Sequence, residues 1–341
     1  MFNSCVAGSK AALAAARPAA RILLRRAAGR RTVLFHRAAG IGDIVCTQPA
    51  IRAFRDQHPN THIAYATRKE FIPVVQMFGC VDSVIAADVR GATWTMAPRL
   101  YDSRFDLLLA DERMPCHPSD SHLVDQFAKQ VGVIPVDRQP RLAHHAPPRV
   151  TQAIAAIREK GRPLIAVHTG PSWPVREWAH ERWAELAAAL QGRLGAVVVQ
   201  LGNDVNTGTG PSVTPRIPHA VDWVGKWSLA ESVAAISQMD LLIGIDSGLL
   251  HLAGGVGTPC IGLFGAVDGG LRLPPETPSR CVTGNVPCLS CHHAVPPGHW
   301  RTGCKHDIAC MKAISASDVF AVVEGCLSDH FFRVVRTTGS P

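Results

Sequence analysis

Apolar runs and amphipathic segments alternate along most of this chain. Runs such as Val33–Phe35 and Leu241–Ile245 are continuously apolar, which is typical of strands buried on both faces of a parallel sheet. Segments with an apolar residue every three or four positions separate these runs and predict helices. The expected strands lie near residues 32–36, 62–67, 82–86, 105–110, 164–168, 196–201, 241–245 and 259–264. The expected helices lie near residues 44–57, 69–78, 120–131, 150–160, 180–191, 229–238, 248–255 and 317–326. The alternation predicts an α/β protein with parallel sheets flanked by helices.

A stretch rich in Pro and His, residues 135–148, interrupts this alternation and predicts a connection between two domains. The length of 341 residues is typical of about two domains, and 47% hydrophobic residues suffice for two cores. We therefore expect a first domain over residues 31–148 and a second over residues 149–326. Residues 1–30 and 327–341 are expected to be terminal tails.

The net charge of +8 is concentrated at the N-terminus. Residues 1–42 carry eight Lys and Arg and no acid, which leaves 27 basic and 27 acidic residues elsewhere. This balance argues against a general nucleic-acid-binding surface. The basic segment is interpreted as a tail, a helix resting on anionic lipid, or a targeting segment; its apolar cluster is too short to span a bilayer. The scattered cysteines favour a reducing, cytoplasmic compartment.

Two strand-to-helix turns carry the polar residues with the clearest chemistry. The sequence DSG at residues 246–248 follows one apolar run, and the sequence GIGD at residues 40–43 follows another. Ligands of open α/β sheets bind outside the carboxyl ends of the strands, where a helix N-terminus offers free N–H groups to an anion. Asp246 is thus a candidate for holding a sugar hydroxyl, and Ser247 and Gly248 for holding a phosphate. The alternative is that Asp246 only caps the helix.

Taken together, these turns resemble the bacterial glycosyltransferase family that includes the lipopolysaccharide heptosyltransferases. They lie about 200 residues apart, and the sequences TQPA at 47–50 and LFG at 263–265 extend the likeness. The resemblance covers roughly residues 31–326. It implies the GT-B fold, in which two Rossmann-like domains face a cleft.

The resemblance also implies an inverting transferase that moves a heptose from ADP-heptose to a lipopolysaccharide core or related glycolipid acceptor. Such an enzyme would be cytoplasmic, with peripheral contact to the anionic inner membrane. Four alternatives stay open: transfer of another sugar, transfer to a protein, a sugar-nucleotide epimerase of the same architecture, and a metal-stapled binding protein without activity.

For catalysis, the resemblance makes Asp43 the general base that takes the proton of the acceptor hydroxyl. The alternative is that Asp43 caps the helix that follows it. Arg176, two residues before Trp178, takes the place of the family's basic residue for the diphosphate. Thr169 and Ser172 are the neighbouring candidate hydroxyls, and the spacing leaves open which of them binds.

Three further residues match donor-binding positions of the family. Asp204 is expected to accept ribose hydroxyls, Trp227 to stack on adenine, and His251 to face the phosphate. Packing is the alternative for Trp227 and for His251. No Asp-x-Asp pair lies at a predicted strand end, so we expect catalysis without a metal or other cofactor.

A loop over residues 281–311 contains a metal-ligand pattern. It reads Cys288-x2-Cys291-x12-Cys304-x5-Cys310. Four thiolates can form a closed tetrahedral zinc or iron site, which would be structural because it leaves no open position. Free or paired thiols are the other interpretation.

Overall fold

The computed structural model describes residues 29–38, 40–87, 101–109, 120–206, 211–212, 214–293 and 303–328. The predicted tails, residues 1–30 and 327–341, therefore lie outside the described residues except for 29–30 and 327–328. In the part of the chain that is described, no helix is long and apolar enough to cross a membrane.

The described residues divide into two compact units, and those within 1–108 and 124–137 form the first. Its elements are β1 (Thr32–His36), α1 (Ile41–Gln57), β2 (His62–Thr67), α2 (Ile72–Gln76), β3 (Ser83–Ala86), β4 (Ser103–Asp106) and α3 (Leu123–Val131). The four strands make a parallel sheet in the order β3-β2-β1-β4. The predicted helix 69–78 is a 3-10 turn, Lys69–Phe71, followed by the short α2.

Aromatic packing fixes α1 against the sheet of the first unit. Phe35 of β1 stacks on Phe105 of β4 with ring centroids 5.0 Å apart, and Phe54 of α1 meets Phe35 edge-on at 5.4 Å. Because side chains alternate along a strand, this packing places Phe35 on the α1 face of the sheet. Since α1 begins only five residues after β1 ends, its N-terminus lies at the carboxyl end of β1.

The described residues within 109–123 and 138–341 form the second unit. Its helices are α4 (Pro148–Ile157), α5 (His180–Leu194), α6 (Leu229–Ile236), α7 (Gly248–Gly255), α8 (Ala309–Lys312) and α9 (Ala316–Ser328). Its strands are β5 (Leu164–His168), β6 (Val197–Gln200), β7 (Val205–Asn206), β8 (Pro211–Ser212), β9 (Val221–Asp222), β10 (Leu241–Ile245), β11 (Cys260–Phe264) and β12 (Ser279–Thr283). Six of them form a parallel sheet in the order β12-β11-β10-β5-β6-β9, and β7 and β8 form a small antiparallel pair.

Burial explains which strands the sequence pattern predicts. Every residue of β5, β10 and β11 is buried, in agreement with their continuous apolar runs. The pattern misses β12, because this edge strand has only one buried residue and so lacks an apolar run.

The longer of the two segments of the second unit begins at residue 138, eleven residues before the predicted boundary. The reason is that the Pro- and His-rich stretch docks on α7. The side chain of Gln139 donates to the carbonyl of Gly254 at 2.7 Å, and the backbone N–H of Leu142 donates to the carbonyl of Gly255 at 2.8 Å. Periodicity cannot reveal such contacts between segments more than 110 residues apart.

Candidate functional site

Asp43 lies in the first turn of α1, at the carboxyl end of β1. The N-cap of this helix is Gly40, and no side chain caps it by a hydrogen bond, so Asp43 is not the capping residue. Gly40 has a φ of 79°, in the left-handed region that favours glycine. A Cβ atom at this position would stand 2.2 Å from Oδ2 of Asp43. Glycine at position 40 therefore leaves the space that the Asp43 carboxylate occupies.

A buried arginine holds this carboxylate. Nη2 of Arg37 donates to Oδ2 of Asp43 at 2.6 Å, and Nη1 donates to the carbonyl of Leu107 at 3.2 Å. Beneath α1, Thr47 contacts the hydroxyl of Tyr65 at 3.2 Å. Burial raises the pKa of Tyr65 far above its ordinary value, so this phenol stays protonated. Of these groups, the partly exposed Asp43 carboxylate is thus the one suited to accept a proton.

In the second unit, the structure brings Arg176 and Asp246 together across 70 residues of sequence. Arg176 ends a 3-10 turn after β5, and Asp246 directly follows β10, the neighbouring strand. Nε of Arg176 lies 3.2 Å from Oδ2 of Asp246, and Nη1 donates to the Asp246 carbonyl at 3.4 Å. Asp246 is buried, whereas Arg176 is partly exposed. The ion pair holds the guanidinium at the carboxyl edge of the sheet.

The N-terminus of α7 lies next to this ion pair. Ser247 is its N-cap residue, but its side chain makes no capping hydrogen bond. The buried Oγ of Ser247 has no hydrogen-bond partner among the described residues. Gly248 begins the helix, and His251 in its first turn is buried. Free helix N–H groups, an unpartnered hydroxyl and an adjacent guanidinium together form a site suited to a phosphate.

The two candidate hydroxyls after β5 differ in how they are held. The side chain of Gln200, which is fully buried, donates to Oγ1 of Thr169 at 3.1 Å. The backbone N–H of Ser172 contacts Oε1 of Glu177 at 3.4 Å. His168 lies just before them, and burial lowers its pKa to about 4, so its imidazole is neutral at physiological pH. The structure therefore orients Thr169 more firmly than Ser172.

The carboxylate of Asp204 already forms an ion pair with an arginine side chain. Arg216 forms two contacts with its carboxylate, at 2.9 and 3.2 Å, and the backbone N–H of Thr214 donates at 2.8 Å. The hydrogen bonds from Arg216 and Thr214 lower the pKa of Asp204 to about 2. No sequence pattern identifies Arg216 as this partner, because it lies twelve residues along the chain, after the β7–β8 pair. A ribose-binding role for Asp204 stays a prediction, and any such ribose would share the carboxylate with Arg216.

Trp227 has one ring face covered. The guanidinium carbon of Arg149 lies 4.7 Å from its ring centroid, and Trp223 meets it edge-on at 5.2 Å. Its buried Nε1 has no hydrogen-bond partner within the described residues. The packing alternative thus holds in part, and stacking on a base stays a prediction that would use the other ring face.

The four cysteines of the predicted metal-ligand pattern differ in exposure: Cys288, Cys291 and Cys304 are partly exposed, whereas Cys310 is buried. Cys310 is buried in the apolar core of the second unit, where its sulfur packs against Gly265. Burial, with the thiols of Cys304 and Cys288, raises the pKa of Cys291, and burial, with the thiols of Cys288, Cys304 and Cys291, raises the pKa of Cys310. Even so, among the described residues no three His, Cys, Asp or Glu side chains are arranged to hold a metal ion. A structural metal held by Cys288, Cys291, Cys304 and Cys310 therefore stays a prediction.

Comparisons with known proteins place these sites in context. The profile of glycosyltransferase family 9 (heptosyltransferase) matches residues 101–297. Lipooligosaccharide heptosyltransferase 2 of Haemophilus influenzae is 31% identical over 110 residues, which is 30% of this chain and 32% of that protein. The match spans about a third of the length of this curated relative.

Solved structures share the fold over most of the chain. A glycosyltransferase family 9 protein from Veillonella parvula has a TM-score of 0.66 at 18% identity, covering 88% of this chain and 97% of its own. The dodecameric iron-containing heptosyltransferase TibC, solved in complex with ADP-D-β-D-heptose, has a TM-score of 0.67 at 17% identity, covering 87% and 76%. These likenesses confirm the predicted GT-B fold class.

Proposed function

We propose that this chain, which belongs to glycosyltransferase family 9, transfers a heptose from ADP-heptose to a lipopolysaccharide core or related glycolipid acceptor. The observation that carries the proposal is the phosphate site of the second unit. There, Arg176 and the unpartnered hydroxyl of Ser247 stand beside the free N-terminus of α7. The ADP-heptose bound by TibC and the heptosyltransferase relatives support a donor of this kind.

In the proposed reaction, Asp43 is the general base. One of its carboxylate oxygens takes the proton of an acceptor hydroxyl while that hydroxyl oxygen bonds to the anomeric carbon of the heptose. The bond between the anomeric carbon and the β-phosphate oxygen breaks, and ADP departs with the electron pair. Attack from the face opposite the leaving group inverts the configuration at this carbon.

Protein groups of the second unit stabilise the leaving diphosphate in this proposal. Arg176 and the N–H groups at the start of α7 supply positive charge where negative charge accumulates. Thr169, which Gln200 orients, adds a hydroxyl donor. The proposed catalysis therefore uses no metal or other cofactor.

The proposal also covers where the enzyme acts in the cell and whether it holds a structural metal ion. We infer that the enzyme acts in the cytoplasm and contacts the anionic inner membrane through its basic N-terminal segment. We propose that Cys288, Cys291, Cys304 and Cys310 hold a structural zinc or iron. The electrostatic effect of the other three thiols on Cys310 supports this, and elemental analysis tests it directly.

The first test is nucleotide selectivity in a thermal-shift assay. A bound ligand raises the apparent melting temperature by mass action, so ADP should raise it more than UDP or GDP at equal concentration. The same assay on Arg176→Ala should show a smaller shift with ADP. Arg193→Ala is the matched control, because Arg193 forms an exposed ion pair with Glu324 in the same unit. A larger shift with UDP would contradict the proposed donor.

The second test separates transfer from the alternatives. ADP release from ADP-heptose should require a lipopolysaccharide core acceptor. Conversion of the donor without an acceptor would instead favour an epimerase. Transfer to protein in place of glycolipid would retain the enzyme class and overturn the proposed acceptor.

A further inference from the structure

Arg37 contacts the carboxylate that the proposed function uses as its base. Its Nη2 lies 2.6 Å from Oδ2 of Asp43, and only 5% of the Arg37 side chain is exposed. A charged hydrogen bond of this length in a largely buried place is strong and directional. In the sequence, Arg37 is one of the eight basic residues of the N-terminal segment, and nothing in its spacing reveals a carboxylate partner.

The central strands of the first unit hold Arg37 in turn. Its backbone N–H donates to the carbonyl of Ala66 in β2 at 3.1 Å. Its Nη1 donates to the carbonyl of Leu107, directly after β4, at 3.2 Å. Since β1 lies between β2 and β4, the backbone of Arg37 is tied to one neighbouring strand and its guanidinium to the end of the other. Functional groups supported by strands keep their geometry better than groups supported by loops alone.

The two oxygens of Asp43 are used unequally. Oδ2 accepts the hydrogen bond from Arg37, and the structure gives Oδ1 no hydrogen-bond partner within the described residues. The Asp43 side chain is 24% exposed, so solvent or a substrate can reach the carboxylate. A carboxylate with one oxygen anchored and the other open is suited to accept a proton in a defined direction.

We propose that Arg37 is the positioning residue of the general base, holding Oδ2 of Asp43 so that Oδ1 meets the acceptor hydroxyl. This inference rests on the proposed function of Asp43. In this proposal Arg37 acts through the Asp43 carboxylate, as a positioning residue. An arginine suits this task because its planar fork sends one N–H group to Leu107 and another to Asp43, whereas a lysine has a single nitrogen.

A double-mutant cycle tests the inference under single-turnover conditions, with ADP-heptose and purified core oligosaccharide. We expect Arg37→Met to lower the transfer rate by about 10²-fold, the typical effect of misplacing a catalytic group by about 1 Å. The thermal shift by ADP should stay unchanged, because the donor site lies in the second unit. In an Asp43→Asn background, Arg37→Met should change the remaining rate by less than about twofold, since the two residues act as one unit.

Two further variants keep the test decisive. Arg37→Lys retains the charge and should be about tenfold faster than Arg37→Met, which also covers the case that the Met variant folds poorly. Arg52→Met is the matched control, because Arg52 lies on α1 and pairs with Asp137 at 3.1 Å, away from Asp43. We expect it to transfer at the normal rate.

The outcomes distinguish the inference from the function on which it rests. Equal losses from Arg37→Met in the parent protein and in the Asp43→Asn background would mean a merely structural role and overturn the inference. A normal rate in Arg37→Met or Arg37→Lys together with a slow Asp43→Asn would overturn the inference and leave the base in place. Normal turnover in Asp43→Asn would overturn the base itself, and the positioning role with it.

Discussion

Replacement of Gly40 by alanine tests whether the space that this glycine leaves for the Asp43 carboxylate is needed for catalysis. The new Cβ would stand 2.2 Å from Oδ2 of Asp43, whereas ordinary van der Waals contact begins at 3.4 Å. The carboxylate must therefore move by about 1.2 Å, which breaks its 2.6 Å contact with Arg37. A displacement of about 1 Å typically lowers a catalytic rate by about 10²-fold. We expect this loss in the transfer rate of Gly40→Ala.

Gly40→Ala should also lower the free energy of unfolding, and Gly79→Ala is the matched control for this effect. Alanine at a φ of 79° costs about 1–2 kcal/mol in the left-handed region, and loss of the charged hydrogen bond from Arg37 adds about 1.5–3 kcal/mol. Gly79 lies in the same unit with a φ of 69°, and a Cβ there would meet no atom within 4 Å. Gly79→Ala should therefore lose only the backbone part of this stability.

The assay compares transfer rates with melting temperatures for both glycine variants. Gly79→Ala should retain nearly the full transfer rate after its melting temperature falls by a few degrees, whereas Gly40→Ala should lose both. ADP should stabilise both variants as much as the parent protein. Equal transfer rates in the two variants would refute the argument that Gly40 makes room for a catalytic carboxylate.

The remaining predictions concern the base, the leaving group, the cysteine loop and the N-terminus. Asp43→Asn should lower the transfer rate by about 10²–10⁴-fold with donor affinity within a few-fold, and near-normal turnover would remove Asp43 from the mechanism. Arg176→Ala should weaken ADP binding and slow transfer together, while unchanged values would make Arg176 a structural residue. Excess EDTA should leave initial rates intact; a loss restored by magnesium would contradict metal-free catalysis. If loop 281–311 holds a metal, elemental analysis should find close to one zinc or iron per chain. Cys288→Ser should then release the metal and lower the melting temperature. A metal-free protein of normal stability would show that these cysteines bind no structural metal. Deleting residues 2–28 should reduce binding to anionic vesicles, because each basic residue near such a surface contributes about 1 kcal/mol, and equal binding would indicate a passive tail.

The sequence by itself determined the class of fold and the positions of the main turns. Continuous apolar runs predict β5, β10 and β11 because these strands are buried on both faces and need apolar residues throughout. The turns after β1 and β10 can also be predicted from the sequence, because each places small and polar residues between a strand and the start of a helix. Asp43 and Asp246 are therefore identifiable as candidates from their neighbours in the chain.

Only the tertiary structure decided what these candidates contact. The pairing of Arg176 with Asp246 joins residues 70 positions apart, and Arg37 reaches Asp43 only because β1 and α1 fold back on each other. The ion pair between Arg216 and Asp204 and the burial of Cys310 likewise depend on residues that are not neighbours in the sequence. Periodicity records which face of one element is buried, whereas a side chain's partner depends on where the other elements pack. The sequence therefore specified the scaffold and the residue types at the turns, and tertiary packing decided which of those side chains are already paired and which are open to a ligand.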